Sequence, residues 1–297
     1  MDPTNREIKP QSKVHSAFAT AFGLFTLISV SGNLTTAWIL DFFARGKDLQ
    51  FVACPFFGLL LAQFASLAMW LVLGTWALRN RIGIVGTIVF VLALALIVGT
   101  QVWPGMPLAA AYVMIVSGFV LTFLAAGTFA LVIRASQLQL VDGLGATRSS
   151  NHSEKQFGVG YLLFLMTVVA VFIALFKVAV PKNSDAWIGL PEYVSLFSWF
   201  LLLAISMGLL AWIVCMVLLQ KPSVMAILSL IASVIIGPFG FQGVASWILV
   251  GRMAVNCGNP SHLAIAYLIC AGILVGLVMV LSVVRLLGYR LCEQGKN

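Results

Sequence analysis

Residues 52–77 read VACPFFGLLLAQFASLAMWLVLGTWA, a stretch without one charged side chain. About 20 apolar residues in a helix cross the hydrocarbon core of a bilayer. This stretch is long enough, and it is not alone. Comparable runs fall at about 17–40, 82–103, 108–133, 159–180, 194–220, 223–250 and 261–288, which makes eight in all. Backbone amides in lipid must bond within their own segment or within a closed barrel, and barrel strands would show ten-residue stretches of alternating polarity. The runs therefore read as helices. The fold class is all-α, a polytopic membrane bundle of about eight transmembrane helices.

Composition agrees. Of 297 residues, 61% are hydrophobic and 9% charged, with a mean hydropathy of +1.07. Soluble domains carry about 25% charged residues, so this chain lacks the polar surface that water requires. It is not a soluble enzyme, a disordered chain or a disulfide-stapled secreted module. The 17 Lys+Arg against 9 Asp+Glu would suggest nucleic acid in a soluble protein. Here the cations sit singly at the ends of apolar runs, where they act as topogenic charges, and nucleic acid is excluded as a partner. The run 17–40 is too long for the apolar part of a signal peptide and reads as the first span, although Ser29, Ser31, Asn33, Thr35 and Thr36 dilute it.

With the N-terminus in the cytoplasm, inner segments hold twelve cations, Arg79, Arg81, Arg134, Lys155 and Arg285 among them, and outer segments five, including Arg45, Lys177 and Arg252. The positive-inside rule then predicts a cytoplasmic-membrane protein with both termini cytoplasmic. The polar stretch 135–158, with Gly143, Gly145, His152 and Lys155, reads as a flexible cytoplasmic linker. It divides the chain into an N-terminal membrane unit, 1–134, and a C-terminal one, 159–297.

The two units resemble each other. Leu59-Leu60-Leu61-Ala62 followed by Trp70 matches Leu201-Leu202-Leu203-Ala204 followed by Trp212, at an offset of 142. Gly99-Thr100-Gln101 matches Gly240-Phe241-Gln242 at 141, and Leu108–Tyr112 matches Leu263–Tyr267 at 155. Arg134 and Arg285 close the fourth and eighth runs. Four helices per unit is an even number, so the predicted repeats run parallel, related by an axis along the membrane normal.

Residues 156–170, QFGVGYLLFLMTVVA, resemble the pattern F-x-[LIV]-x-x-LL-x-x-[MT]-T-x-x-A. That pattern opens uncharacterised multi-pass membrane proteins of planctomycete bacteria, and Leu60–Gly74 is similar to a second segment of them. The likeness covers about 35 residues. It implies a bacterial cytoplasmic membrane and carries over no functional residue.

Chemistry is sparse. An ionisable residue at membrane depth marks function by default, and none falls near the middle of a run. His15, His152 and His262 lie at or outside helix ends, which leaves haem without axial ligands. No C-x-x-C or H-E-x-x-H occurs, and no cofactor is implied. Asp41, Asp48, Asp185 and Glu192 are scattered over outer loops. Cys54 and Cys257 fall near one outer face, either as a disulfide or as free thiols.

Three amides, Gln63, Gln101 and Gln242, lie within or at the end of runs. They read either as hydrogen-bonding glue between helices or as the polar lining of a ligand site. Gly237-Pro238-Phe239-Gly240 predicts a break in the seventh helix, because proline lacks an amide donor and glycine loosens the adjoining turns. Gly272 and Gly276 form G-x-x-x-G, and Ala125-Ala126-Gly127 is a second small-residue patch; both predict close helix contact, within the chain or in a homo-oligomer. The leading functional expectation is a non-enzymatic integral membrane protein, structural or interacting, with membrane lipid or another membrane protein as partner. The alternatives are a permease for a small uncharged or amphipathic molecule, and a membrane enzyme subunit with a surface site.

Overall fold

The computed structural model describes residues 23–35, 49–74, 77–100, 108–136, 138–142, 190–220, 224, 227–236, 260–286 and 289–293. Among them are seven helices: α1 (Gly23–Leu34), α2 (Leu49–Leu73), α3 (Leu78–Thr100), α4 (Leu108–Ala135), α5 (Leu190–Leu219), α6 (Ile227–Ile236) and α7 (Pro260–Leu286). Five of them, α2, α3, α4, α5 and α7, are long and apolar enough to cross a membrane. The chain is an integral, multi-pass membrane protein. Seven of the eight predicted runs contain a helix; the run 159–180 lies outside the described residues.

These helices are apolar on every face, and large side chains such as Leu131, Val98 and Leu286 stand exposed on the outside. In water that would be an aggregation hazard; in a bilayer it is the surface lipid requires. Hydroxyls within the helices are satisfied locally. Ser66 Oγ donates to the Ala62 carbonyl (2.7 Å), Thr122 Oγ1 to Gly118 (2.8 Å) and Ser206 Oγ to Leu202 (2.9 Å). This bonding to the preceding turn lets a polar residue sit in lipid without a partner helix. Arg134 and Arg285 occupy the last turns of α4 and α7, where a cation meets the negative end of the helix dipole.

Of the five long helices, α2 and α4 are the most buried and α7 the least. The two most extensive helix contacts are α2 on α7 and α4 on α5. Two apolar helices gain nothing from leaving lipid, so their association depends on close packing. The α2–α7 seam supplies it with small residues. A methyl group added at Gly58 would overlap the Ile269 carbonyl, one at Gly272 the Pro55 carbonyl, and one at Gly276 the Ala62 side chain. The G-x-x-x-G of α7 is thus covered by α2 of the same chain. The α4–α5 contact is built alike, with Gly208 set against Thr128 and the Ala125 carbonyl, 3.0 Å from where its methyl would stand.

Two features depart from the sequence reading. The first residues of the expected linker form a strand, β1 (Leu138–Asp142), which pairs antiparallel with β2 (Tyr289–Glu293) just after α7. Leu138, Leu140 and the neighbouring Val141 give β1 some strand character, but a stretch this short is masked by the polar residues that follow. Arg81, counted among the topogenic cations of the inner segments, is fully buried at 0% exposure. Its side chain turns back into the bundle, because the end of α2 offers it carbonyl acceptors.

Candidate functional site

α1, α2 and α7 line a crevice of about 430 Å³, to which Leu219 of α5 also contributes. That volume falls within the usual range for small-molecule sites, about 300–1,000 Å³. Its wall follows α2 from Phe56 to Gly74, almost the full length of the helix, and runs along α7 from Gly276 to Val284. α1 supplies the third side, from Leu24 to Asn33. Phe25, Ile28, Leu59, Met69, Trp70 and Val280 make most of it apolar.

One polar strip interrupts this lining: Ser29, Asn33, Gln63 and Ser66. Asn33 and Gln63 form a reciprocal amide pair. Asn33 Nδ2 donates to Gln63 Oε1 (3.3 Å), and Gln63 Nε2 donates to Asn33 Oδ1 (3.2 Å). Asn33 Nδ2 also donates to the Leu92 carbonyl of α3 (3.1 Å). Asn33 is buried at 2% exposure, whereas Gln63 is half-buried at the wall. A primary amide has two donors and two acceptor lone pairs. Both Asn33 donors are spent, while Gln63 keeps one N–H and one lone pair beyond these bonds. Gln63 lies midway along the apolar span Cys54–Leu73, so this remaining capacity sits deep in the membrane.

Short backbone approaches hold the pair in place. A methyl at Gly99 would overlap the Asn33 carbonyl, so glycine lets the end of α1 rest on α3. Gln63 was legible in the sequence as a polar position. Its partner Asn33 was not, because in the first run it only lowers the hydropathy; the signal was a lone amide in each of two neighbouring apolar runs. Gln101, Gln242, Gly237, Pro238 and Gly240 lie outside the described residues. α6 is described as far as Ile236. Its Ile235 carbonyl accepts a hydrogen bond from the Tyr267 hydroxyl of α7 (2.8 Å).

At the end of the crevice near Gly74 stands Arg81. Its Nη1 donates to the carbonyls of Leu71 and Val72, the latter at 3.0 Å, which caps the C-terminus of α2. Its aliphatic stem lies against Gly74, where a methyl group would come within 2.7 Å of the Arg81 Cδ. Nε and Nη2 are buried and have no hydrogen-bond partner. A cation in the first turn of α3 opposes that helix's own dipole, and the α2 carbonyls offset only part of the cost. The five membrane-crossing segments contain no Asp or Glu to neutralise it.

Among the described residues, no three His, Cys, Asp or Glu side chains stand close enough together to hold a metal ion. Cys54, Cys215 and Cys270 are free thiols, so Cys54 forms no disulfide with Cys257, which lies outside the described residues. Cys215 is buried, 3.4 Å from the Met69 sulfur, and serves as core packing. Comparisons with protein-family models, with curated proteins and with solved structures found no match.

Proposed function

We propose that this integral membrane protein is non-enzymatic and works by binding. The α1–α2–α7 crevice receives the apolar body of an amphipathic molecule from the bilayer. The Asn33–Gln63 pair meets an uncharged hydrogen-bonding group, such as a carbonyl or hydroxyl, part-way along that body. The observation that carries this reading is the unspent amide capacity of Gln63, in a short polar strip of a mainly apolar wall at mid-membrane. Polar groups in a mainly apolar site fix orientation and specificity.

The binding site is the first requirement of a permease, and the crevice lies between helices of the N-terminal unit, α1 and α2, and one of the C-terminal unit, α7. Parallel four-helix repeats fit that placement. Support for duplication comes from the equivalent contacts α2–α7 and α5–α4, which a two-fold axis along the membrane normal would interchange. Support also comes from β1 and β2, each separated from its helix by two residues. A cytoplasmic-membrane location with both termini inside follows from the distribution of Lys and Arg.

The test is photolabelling of the full chain in nanodiscs with a neutral monoacylglycerol that carries a diazirine on its chain. Label concentrated on α1, α2 and α7 peptides, and reduced by the crevice-filling Val280→Trp, is the expected result. Label spread evenly over lipid-exposed helices, and indifferent to Val280→Trp, would overturn the reading.

A further inference from the structure

The geometry points to Arg81 as an oxyanion-binding residue at the Gly74 end of the crevice, recognising the phosphate or carboxylate of an anionic amphiphile. This rests on the crevice as a binding site and adds the charge of its ligand.

The guanidinium divides its donors between two tasks. The Nη1 edge is committed to the Leu71 and Val72 carbonyls. Nε and Nη2 form the opposite edge, two near-parallel N–H groups of the kind that engage carboxylate or phosphate oxygens in pairs. Both atoms are buried and unpartnered in a side chain of 0% exposure. Hydrogen bonds to charged groups are the strong ones, and a buried charge left without them is costly. A merely topogenic arginine would reach for solvent, as the exposed Arg79 two residues earlier does. Arg81 instead packs its stem on Gly74, which itself lines the crevice. Gly74 thus stands against both the apolar groove and the stem of the cation.

The two recognition points also set a spacing. Gln63 and Gly74 are eleven residues apart on α2, about 16 Å at 1.5 Å per residue. The ligand this describes has an anionic head at the membrane face. An apolar chain follows it along the groove, with a neutral oxygen function about 16 Å from the head.

The experiment uses native mass spectrometry of the full chain released from nanodiscs. Three probes are compared: an alkyl phosphate, a monoalkylglycerol of equal chain length, and inorganic phosphate. The expected result is alkyl phosphate favoured over the neutral probe by about tenfold or more. Arg81→Gln and Arg81→Lys lose that preference, the lysine because it keeps the charge but not the two-pronged edge. Arg79→Gln, with the same loss of charge at an exposed site, keeps it. Competition by inorganic phosphate against alkyl phosphate identifies a free anion as the source, and its absence a lipid head group. A neutral probe that binds as well as the phosphate, or an undiminished preference in both Arg81 variants, overturns the inference and leaves the crevice reading intact. Inorganic phosphate bound through Arg81 with neither amphiphile retained would overturn the crevice reading instead. If Arg81→Gln does not fold, the Arg81→Lys result alone decides.

Discussion

Leu140 pairs with Leu291 across the two-stranded ribbon, and each leucine stands six residues after the arginine that closes its helix, Arg134 or Arg285. The pair is the centre of the register, with Leu138 opposite Glu293 and Asp142 opposite Tyr289. When the two units are aligned on Arg134 and Arg285, an offset of 151 rather than the 155 of the helix starts, these two leucines are the same position. An antiparallel pair has a local two-fold axis at its centre, and here that axis falls on equivalent residues. A ribbon formed without regard to the repeat could have settled in any register.

The ribbon therefore staples the two units together at one membrane face. Directly opposed residues in an antiparallel pair have Cα atoms about 4.5–5.5 Å apart, which suits a disulfide. Leu140→Cys with Leu291→Cys, in a chain carrying Cys292→Ser and a protease site between 143 and 158, should cross-link under mild oxidation. After cleavage, the halves should migrate together on a non-reducing gel. Leu140→Cys with Glu293→Cys, two positions out of register, should cross-link far less. Equal yields would refute the register.

The reciprocal amide pair should behave as a coupled unit. Interhelical hydrogen bonds in membrane proteins contribute about 0.6 kcal/mol on average and about 1.7 at most. A double-mutant cycle of Asn33→Leu and Gln63→Leu, read by SDS-driven unfolding in mixed micelles, should give a coupling in that range. Asn33→Leu alone should cost more than Gln63→Leu, because Asn33 also donates to the Leu92 carbonyl. Additive effects would mean that the two amides do not share a bond.

How much of this was legible follows from what each residue does to its own stretch of sequence. The long helices announce themselves because a bilayer demands a fixed length of apolar chain, which a reader sees without knowing any neighbour. The seam was half legible. Gly272 and Gly276 mark a close approach, but only the fold says that Gly58 and Ala62 of α2 receive it. Asn33 and Arg81 were misread because their meaning lies in a partner elsewhere: an amide 30 residues away, and carbonyls at the end of the preceding helix. In sequence, a buried arginine at a span end looks the same as a solvated one.

Glycines of the seam and glycines facing open space should respond oppositely to added bulk. Gly272→Leu or Gly276→Leu forces α2 and α7 apart and should destabilise by about 1–3 kcal/mol or more. Gly83 has nothing within 4 Å of an added methyl, so Gly83→Ala should stabilise α3 by about 0.5–1 kcal/mol. Unfolding midpoints in one detergent compare them directly. A seam variant as stable as the parent would show that α2 and α7 do not meet through these residues.

The contact between α6 and α7 gives the last expectation. The Tyr267 hydroxyl of α7 donates to the Ile235 carbonyl of α6 (2.8 Å). A hydrogen bond of this kind contributes about 0.5–1.5 kcal/mol, so Tyr267→Phe should lose about that much, whereas Tyr267→Trp, bulkier and with its donor misplaced, should not recover it. Amide exchange of Ile235 and Ile236 should quicken in Tyr267→Phe while exchange in α2 stays unchanged. A uniform rise across both helices would indicate that Tyr267 supports the bundle at large, and an unchanged rate at Ile235 and Ile236 would show that its hydroxyl does not hold α6 there.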